Sequence, residues 1–248
     1  MKKIELISKL IAVFVIFFLA SCSQDDEPTE EVVTEVESAE DIGATLADDL
    51  VPVVEDANDL SVKASSDGRT YEVKACGVDY DTTFSRSYSG VYVTSQATFT
   101  YAYQLVCNGA IPSTLNLEAS SSGTRTTERL TSQGSITSEL IVTGVQPSST
   151  SFVVNGELSR TGSVTGENKS FNSTSQLTIT DLTLTKSTQQ IASGTATVTY
   201  AGSTSAGNSV SRTASVTFLG GNEAELTLNS GRKFLVNLRT GEVTEIED

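Results

Sequence analysis

The sequence VYVTSQATFTYAYQLVC, residues 91 to 107, shows the clearest structural pattern in the chain. Apolar residues occupy alternate positions from Val91 to Cys107, with only Ser95 interrupting the series, and Thr or Gln residues fill most of the positions between them. A period of two places successive side chains on opposite faces of a β-strand. At about 3.3 Å per residue the strand would reach about 50 Å. The stretch therefore predicts an unusually long strand with one buried face and one wet face.

The same alternation returns throughout the C-terminal half of the chain. It is seen in Thr195–Tyr200, Thr213–Phe218, Ala224–Leu228 and Phe234–Leu238. Turn-forming residues separate these runs, at Gly202–Gly207, Gly220–Asn222, Asn229–Gly231 and Thr240–Gly241. The run from Gln176 to Thr185 changes phase at Asp181, where a β-bulge would reconcile its two halves.

These patterns predict an all-β domain over residues 69–248, built from about ten long antiparallel strands connected by hairpins. Only one face of most strands is apolar, so the sheet must curl into a half-barrel or barrel, or fold into a sandwich, to bury that face. Both forms of closure stay open. An outer-membrane barrel is disfavoured because the chain has no Trp for an aromatic girdle.

A short helix is predicted before the sheet. Ile42, Leu46, Leu50 and Val54 recur every four residues, which places them on one side of a helix. Pro52 is expected to end or kink it, so the predicted span is Glu40–Leu50, within a segment of helix and linker at 40–68. Two roles stay open: the helix covers one end of the sheet, or it plugs or gates an apolar cleft.

Residues 1–21 are predicted to form a secretory signal. Lys2, Lys3 and Lys9 precede an uncharged run from Leu10 to Ala20. This order is typical of an export signal, and the run falls short of the roughly 20 residues that span a bilayer as a helix.

The end of this signal resembles a lipobox. Leu19-Ala20-Ser21-Cys22 is similar to the cleavage site of bacterial lipoproteins. The resemblance implies that the thiol of Cys22 is diacylated, that the chain is cut before it, and that the lipid holds the protein to a membrane. Ser23 to Glu27 resembles the acidic export signal of Bacteroidota lipoproteins, which implies an outer-membrane location on the cell surface rather than on the periplasmic face.

Charge is concentrated near the N-terminus. The whole chain has a net charge of −15, and residues 22–60 contain fourteen Asp and Glu but no Lys or Arg. Residues 22–39 are therefore predicted to form an acidic, disordered tether. A chain without a basic face is a poor nucleic-acid ligand, so no nucleic-acid partner is predicted.

Cys76 and Cys107 remain after Cys22 is assigned to the lipid. Two cysteines in an exported protein are expected to form a disulfide, with a pair of buried free thiols as the alternative. We place each of them in a strand, Cys107 on the inward side.

The residue types exclude much catalytic chemistry. The chain has no His, which removes Ser-His-Asp and Cys-His catalysis and the common zinc sites. No nucleotide-binding glycine motif is present, and no cofactor, catalytic residue or metal site is predicted. Asp79 and Asp81 are the one weak calcium alternative, since they share a strand face. Asp81-Thr82-Thr83 resembles the short glycosylation motif of exported Bacteroidota proteins, which implies an O-linked sugar on Thr82.

Three functions follow as hypotheses. The first is a non-enzymatic surface lipoprotein that serves adhesion, envelope structure or the capture of a protein, glycan or lipid ligand. The second is a carrier that holds an apolar molecule in the curled sheet, with the helix as a lid. The third is a hydrolase that uses carboxylates alone. A solid interior favours the first, an enclosed apolar cavity the second, and two facing carboxylates in an open groove the third.

Overall fold

The computed structural model describes residues 32–64, 71–73, 75–166 and 169–247. The predicted signal, Cys22 and the predicted tether up to residue 31 lie outside the described residues.

The described chain begins with a helical segment in three parts. These are α1 (Glu35–Ala44), a π-helical turn (Thr45–Leu50) and α2 (Val51–Ser61). Thr34 caps α1, since its hydroxyl accepts from the Glu37 N–H at 3.2 Å while the Glu37 carboxylate accepts from the Thr34 N–H at 2.8 Å. The helix is therefore longer at both ends than the predicted span of Glu40–Leu50, and its first residues belong to the segment assigned to the tether.

The π turn explains how the helix continues past Pro52. The Val51 N–H donates to the Leu46 carbonyl, five residues back, so the backbone already departs from the α-helical ladder where Pro52 has no N–H to give. The same turn serves the apolar pattern. In an α-helix each step of four residues rotates a side chain about 40° too far. The wider π turn offsets that drift and keeps Ile42, Leu46 and Leu50 buried on one side.

Thirteen antiparallel strands follow in the described part of the chain. The first two, β1 (Val62–Ala64) and β2 (Tyr71–Val73), form a small separate sheet. The other eleven form one sheet in which each strand pairs with its neighbours along the chain: β3 (Asp79–Ser89), β4 (Val93–Asn108), β5 (Ile111–Thr127), β6 (Leu130–Thr143), β7 (Ser151–Gly166), β8 (Ser170–Thr185), β9 (Gln190–Thr204), β10 (Ser209–Gly220), β11 (Glu223–Leu228), β12 (Lys233–Asn237) and β13 (Val243–Ile246). The all-β prediction is confirmed. The single sheet replaces the sandwich alternative.

The sheet curls around the helix. α1 contacts β9, β12 and β13, whereas α2 contacts β4 and β5, so the helix reaches strands near both edges. Gly43 permits the closest approach, because a Cβ there would stand 2.5 Å from the Val243 side chain. The edges β3 and β13 are not paired with each other among the described residues. The architecture is thus a half-barrel with its own helix inside the curve.

A β-bulge interrupts β8 in the middle of the sheet. The register between β8 and β9 shifts between Thr180 and Thr183, and Asp181 adopts a φ of 51° with its N–H donating to Asn155 at 2.9 Å. The predicted bulge at Asp181 is confirmed. The same bulge shifts the register between β7 and β8, where Asn155 faces both Thr180 and Asp181. Beside it, a Cβ at Gly156 would stand 2.2 Å from the Glu139 carbonyl oxygen.

The predicted disulfide joins Cys76 to Cys107, with their Cα atoms 5.7 Å apart. Cys107 lies in β4 as expected, whereas Cys76 lies in the turn before β3 rather than in a strand. The bond ties the approach to edge strand β3 onto its neighbour β4.

Candidate functional site

Ion pairs connect the helix to the concave face of the sheet. Residues 35–61 contain nine acidic residues and no basic one, so every cation in these pairs comes from the sheet or its turns. The most buried is Arg160 of β7, whose side chain is 6% exposed. It lies 2.7 Å from Asp41 and 3.3 Å from Asp49. Such a pair fixes the position of the helix on the sheet but adds little net stability, because the cost of removing both charges from water offsets their attraction.

Arg125 of β5 links three elements. Its guanidinium donates to Asp48 of the π turn at 2.8 Å and to the Thr240 carbonyl in the turn between β12 and β13. Those contacts connect the helix, the fifth strand and the C-terminal hairpin. On the other side of the helix, Arg86 of β3 pairs with Asp56 of α2, and the Tyr101 hydroxyl donates to the same carboxylate at 2.7 Å.

The start of the helix is held as firmly as its middle. Lys169 donates to the Val32 carbonyl at 2.7 Å and pairs with Glu37 at 2.8 Å. Arg212 of β10 donates to the Val33 carbonyl at 2.8 Å, and the Val33 side chain is buried. The chain therefore enters the folded domain at one fixed point.

Glycines make room for this charged layer. Gly123, Gly134 and Gly162 stand in register on β5, β6 and β7, on the inward side of the sheet. A Cβ at Gly134 would lie 3.0 Å from the Arg160 guanidinium, and one at Gly162 would lie 3.2 Å from it. The Arg160 guanidinium therefore lies between these glycines, which we call the glycine floor, and the carboxylates of the helix.

Burial changes the titration of the helix carboxyls. It raises the pKa of Asp49 to about 7, against the opposing effect of Arg160. It also raises the pKa of Glu40, although Arg129 acts in the other direction. For Glu37 burial is outweighed by the hydrogen bonds from Lys169 and Thr34, and its pKa is lowered.

A cavity of about 430 Å³, which we call the rim cavity, opens at one end of the half-barrel. Its floor is Glu40, Asp41 and Ala44 of α1. Three turns form its walls: residues 88–93 between β3 and β4, residues 127–130 between β5 and β6, and residues 240–243 between β12 and β13. The rim cavity therefore combines turns from distant parts of the chain, which is where binding sites commonly form.

Two carboxylate oxygens at the floor of the rim cavity lack partners. Glu40 accepts from Arg129 at 2.9 Å through Oε1, and Asp41 accepts from Arg160 through Oδ1. The other oxygen of each, Glu40 Oε2 and Asp41 Oδ2, is buried without a hydrogen-bond partner in the described part of the chain. Buried acceptors in native proteins normally have hydrogen-bond partners, so these two oxygens are candidates to accept hydrogen bonds from a ligand.

A second cavity of about 430 Å³, the lateral cavity, lies beside the π turn and α2. It contains three carboxylates of the helix, Asp48, Asp49 and Glu55. Each is paired with an arginine of the sheet, at 2.8, 3.3 and 3.4 Å respectively. These carboxylates fasten the helix to the sheet.

The other residues singled out from the sequence lie apart from both cavities. Thr82 is half-buried on the inward side of β3, opposite Tyr101, whereas Thr83 is exposed on the convex face. Asp79 accepts from Gln104 at 2.7 Å. Asp81 is exposed on the same strand, and no group of three possible metal-ligating side chains occurs among the described residues. O-glycosylation of Thr82 stays a prediction.

Sequence reasoning missed the arginines and the rim cavity. A usable signal existed for Arg160, which shares the parity of the buried Leu158 and Val164 in an alternating strand. A charged residue at an inward position needs a partner, and the acidic helix was the obvious source. The rim cavity had no such signal, because its walls are about 150 residues apart in the chain.

No helix among the described residues has the length and apolarity needed to cross a bilayer. No protein-family model, no curated protein and no solved structure matches this chain.

Proposed function

We propose that the protein is an envelope-anchored lipoprotein, exposed on the surface of the outer membrane, that acts as a non-enzymatic binding, adhesion or structural module. The observation that carries this proposal is the occupied interior. Side chains of the helix, among them Leu46, Leu50 and Val54, fill the concave side of the sheet and belong to one continuous core with it. The surfaces left for partners are the outer face and the rim.

The convex face is suited to contact with water and polar partners. Thr100, Ser120, Thr137 and Ser159 stand in register across β4 to β7, and similar rows lie on either side of them. Such a face presents hydroxyl groups that donate and accept hydrogen bonds. It needs no lipid or partner to cover it.

The two other hypotheses fit the geometry less well. A carrier of apolar molecules needs an apolar space under a mobile lid, but this helix is core, and both cavities described above contain charged side chains. A carboxylate hydrolase needs free carboxyl groups facing a substrate. Those in the lateral cavity are paired with arginines. Glu40 and Asp41 in the rim cavity are each paired with an arginine through one oxygen, and their other oxygens are buried.

The test of attachment is Cys22→Ser in the full chain, expressed in a Bacteroidota host. We expect the variant to accumulate in the medium or as uncleaved precursor, because one thiol provides the lipid linkage. Cys76→Ser is the matched control, and it should remain in the membrane fraction. Antibody labelling of intact cells should detect the unaltered protein. A Cys22→Ser protein that is processed normally and stays in the outer membrane would contradict the proposal.

A further inference from the structure

We propose that the rim cavity binds a saccharide of one or two rings. This inference rests on the proposed function, since it names a ligand class for the binding module. The cavity combines three features that suit a sugar: an aromatic wall, unpartnered acceptors, and floor charges that are already paired within the protein.

The aromatic wall is the hairpin between β3 and β4. Tyr92 is 69% exposed and Val91 is 89% exposed, and Tyr88 also faces solvent at the same turn. The turn is ordered by a hydrogen bond of 2.8 Å from the Gly90 N–H to the Val93 carbonyl. Large apolar side chains held in the open by a tight turn indicate a contact surface. A tyrosine ring is a flat apolar platform with a polar end, which suits the C–H face of a sugar ring.

The acceptors lie at the floor. Glu40 Oε2 and Asp41 Oδ2 have no partner within the described residues, both residues line the cavity, and the Glu40 side chain is 20% exposed. A sugar hydroxyl is a donor as well as an acceptor. It therefore satisfies a carboxylate oxygen and also accepts from the nearby Arg129.

The charged groups at the floor are paired within the protein. Arg129 is paired with Glu40, Arg125 with Asp48, and Asp41 with Arg160. Glu128 and Glu242 also line the cavity, so the lining disfavours an anionic ligand, and spermidine serves as the cationic competitor below. The volume of about 430 Å³ lies within the range of small-molecule pockets and suits one or two sugar rings.

The experiment is ligand-observed saturation-transfer NMR on the full-length protein in detergent. The probes are maltose, cellobiose, lactose and N,N′-diacetylchitobiose, with trialanine and spermidine as non-sugar competitors. We expect at least one disaccharide to bind with a Kd of about 1 mM or below. Saturation should be strongest on the C–H protons of one ring face, because that face lies on tyrosine.

Variants of the wall and floor locate the site. Tyr92→Ala should weaken binding about tenfold or more, whereas Tyr92→Phe should retain it because the ring remains. Glu40→Gln should weaken binding about fivefold, since a charge-assisted hydrogen bond becomes a neutral one. Ile141→Ala changes an exposed residue of β6 outside the rim cavity and should leave binding unchanged.

Three results would overturn the inference: no disaccharide of the panel binds at about 10 mM, Tyr92→Ala binds sugar as well as the unaltered protein, or trialanine or spermidine occupies the site in preference to sugar. None of these results affects membrane attachment through Cys22. Failure of the sugar site and failure of the proposed anchoring are therefore separate outcomes.

Discussion

Arg160 and Asp49 illustrate how individual residues hold the helix inside the sheet. Arg160 reaches two carboxylates of the helix at once, and both are largely buried. Its side chain crosses the glycine floor at Gly134 and Gly162, so a larger residue at either glycine would displace it. Breaking a buried pair of this kind typically costs about 3–5 kcal/mol, because the remaining charge is stranded away from water.

Asp49 should make stability depend on pH. Its folded pKa of about 7 lies above its unfolded value of about 3.9, so the folded protein binds more protons between those values. Stability contributed by the neutral form is therefore lost as the pH rises from about 4 to about 7. Asp49→Asn does not titrate, and we expect its free energy of unfolding, relative to the unaltered protein, to rise by about 2–4 kcal/mol across this window.

Urea denaturation at a series of pH values measures this difference. Ser121→Ala is the matched control: it removes the hydroxyl 3.5 Å from Asp49 but keeps the carboxyl, so the fall in stability should persist. Parallel pH curves for Asp49→Asn and the unaltered protein would show that the carboxyl does not carry the effect.

Among the secondary-structure elements, the helix pairs its charges with opposite charges, whereas the convex face of the sheet places like charges side by side. The acids of the helix meet cations of the sheet. Glu118, Glu139 and Glu157 on the outer face instead stand directly opposite one another on β5, β6 and β7. Like charges at opposed positions destabilise a strand pair, and this row has two such oppositions.

Glu139→Thr should therefore stabilise the protein by about 0.5–1 kcal/mol, because it removes both repulsions and adds a good strand former. Glu223→Thr is the control, since Glu223 stands opposite Asn237 and Gly220. The midpoint of urea denaturation measures both variants. The advantage of Glu139→Thr should shrink in about 1 M salt, which screens exposed charges, and a gain that is independent of salt would argue against repulsion as its cause.

At the scale of the whole molecule, the folded domain begins earlier than the hydrophobic pattern indicates. Residues 32–39 carry the buried Val33, the cap at Thr34 and the carboxylates that meet Lys169 and Arg212. These contacts, which we call the N-terminal clamp, hold residues 32–39 against the sheet.

A recombinant fragment of residues 40–248 should be less stable than one of residues 32–248 by at least about 3 kcal/mol, since it lacks the Val33 side chain and the helix cap. The midpoint of urea denaturation gives the comparison. Val33→Ala in the longer fragment separates the two contributions, and should account for about half of the loss. Equal midpoints for the two fragments would show that the N-terminal clamp adds nothing.

The sequence by itself determined the all-β class, the long strands, the bulge at Asp181 and the disulfide between Cys76 and Cys107. These are local or pairwise features: strand periodicity repeats every two residues, a phase change is visible where it occurs, and the predicted role of Cys22 left two cysteines to pair. The π turn was not predicted, although the four-residue spacing from Ile42 to Val54 is longer than the 3.6-residue period of an ideal α-helix.

Only the tertiary structure decided how the sheet closes, where the helix lies and where the rim cavity forms. Closure depends on twist summed over eleven strands, which no single stretch of sequence specifies. The partners of the acidic helix come from strands more than a hundred residues away, as in Asp41 with Arg160. The rim cavity joins Tyr92, Arg129 and Val243 because curling brings the ends of separate hairpins together, and that proximity exists only in the folded chain.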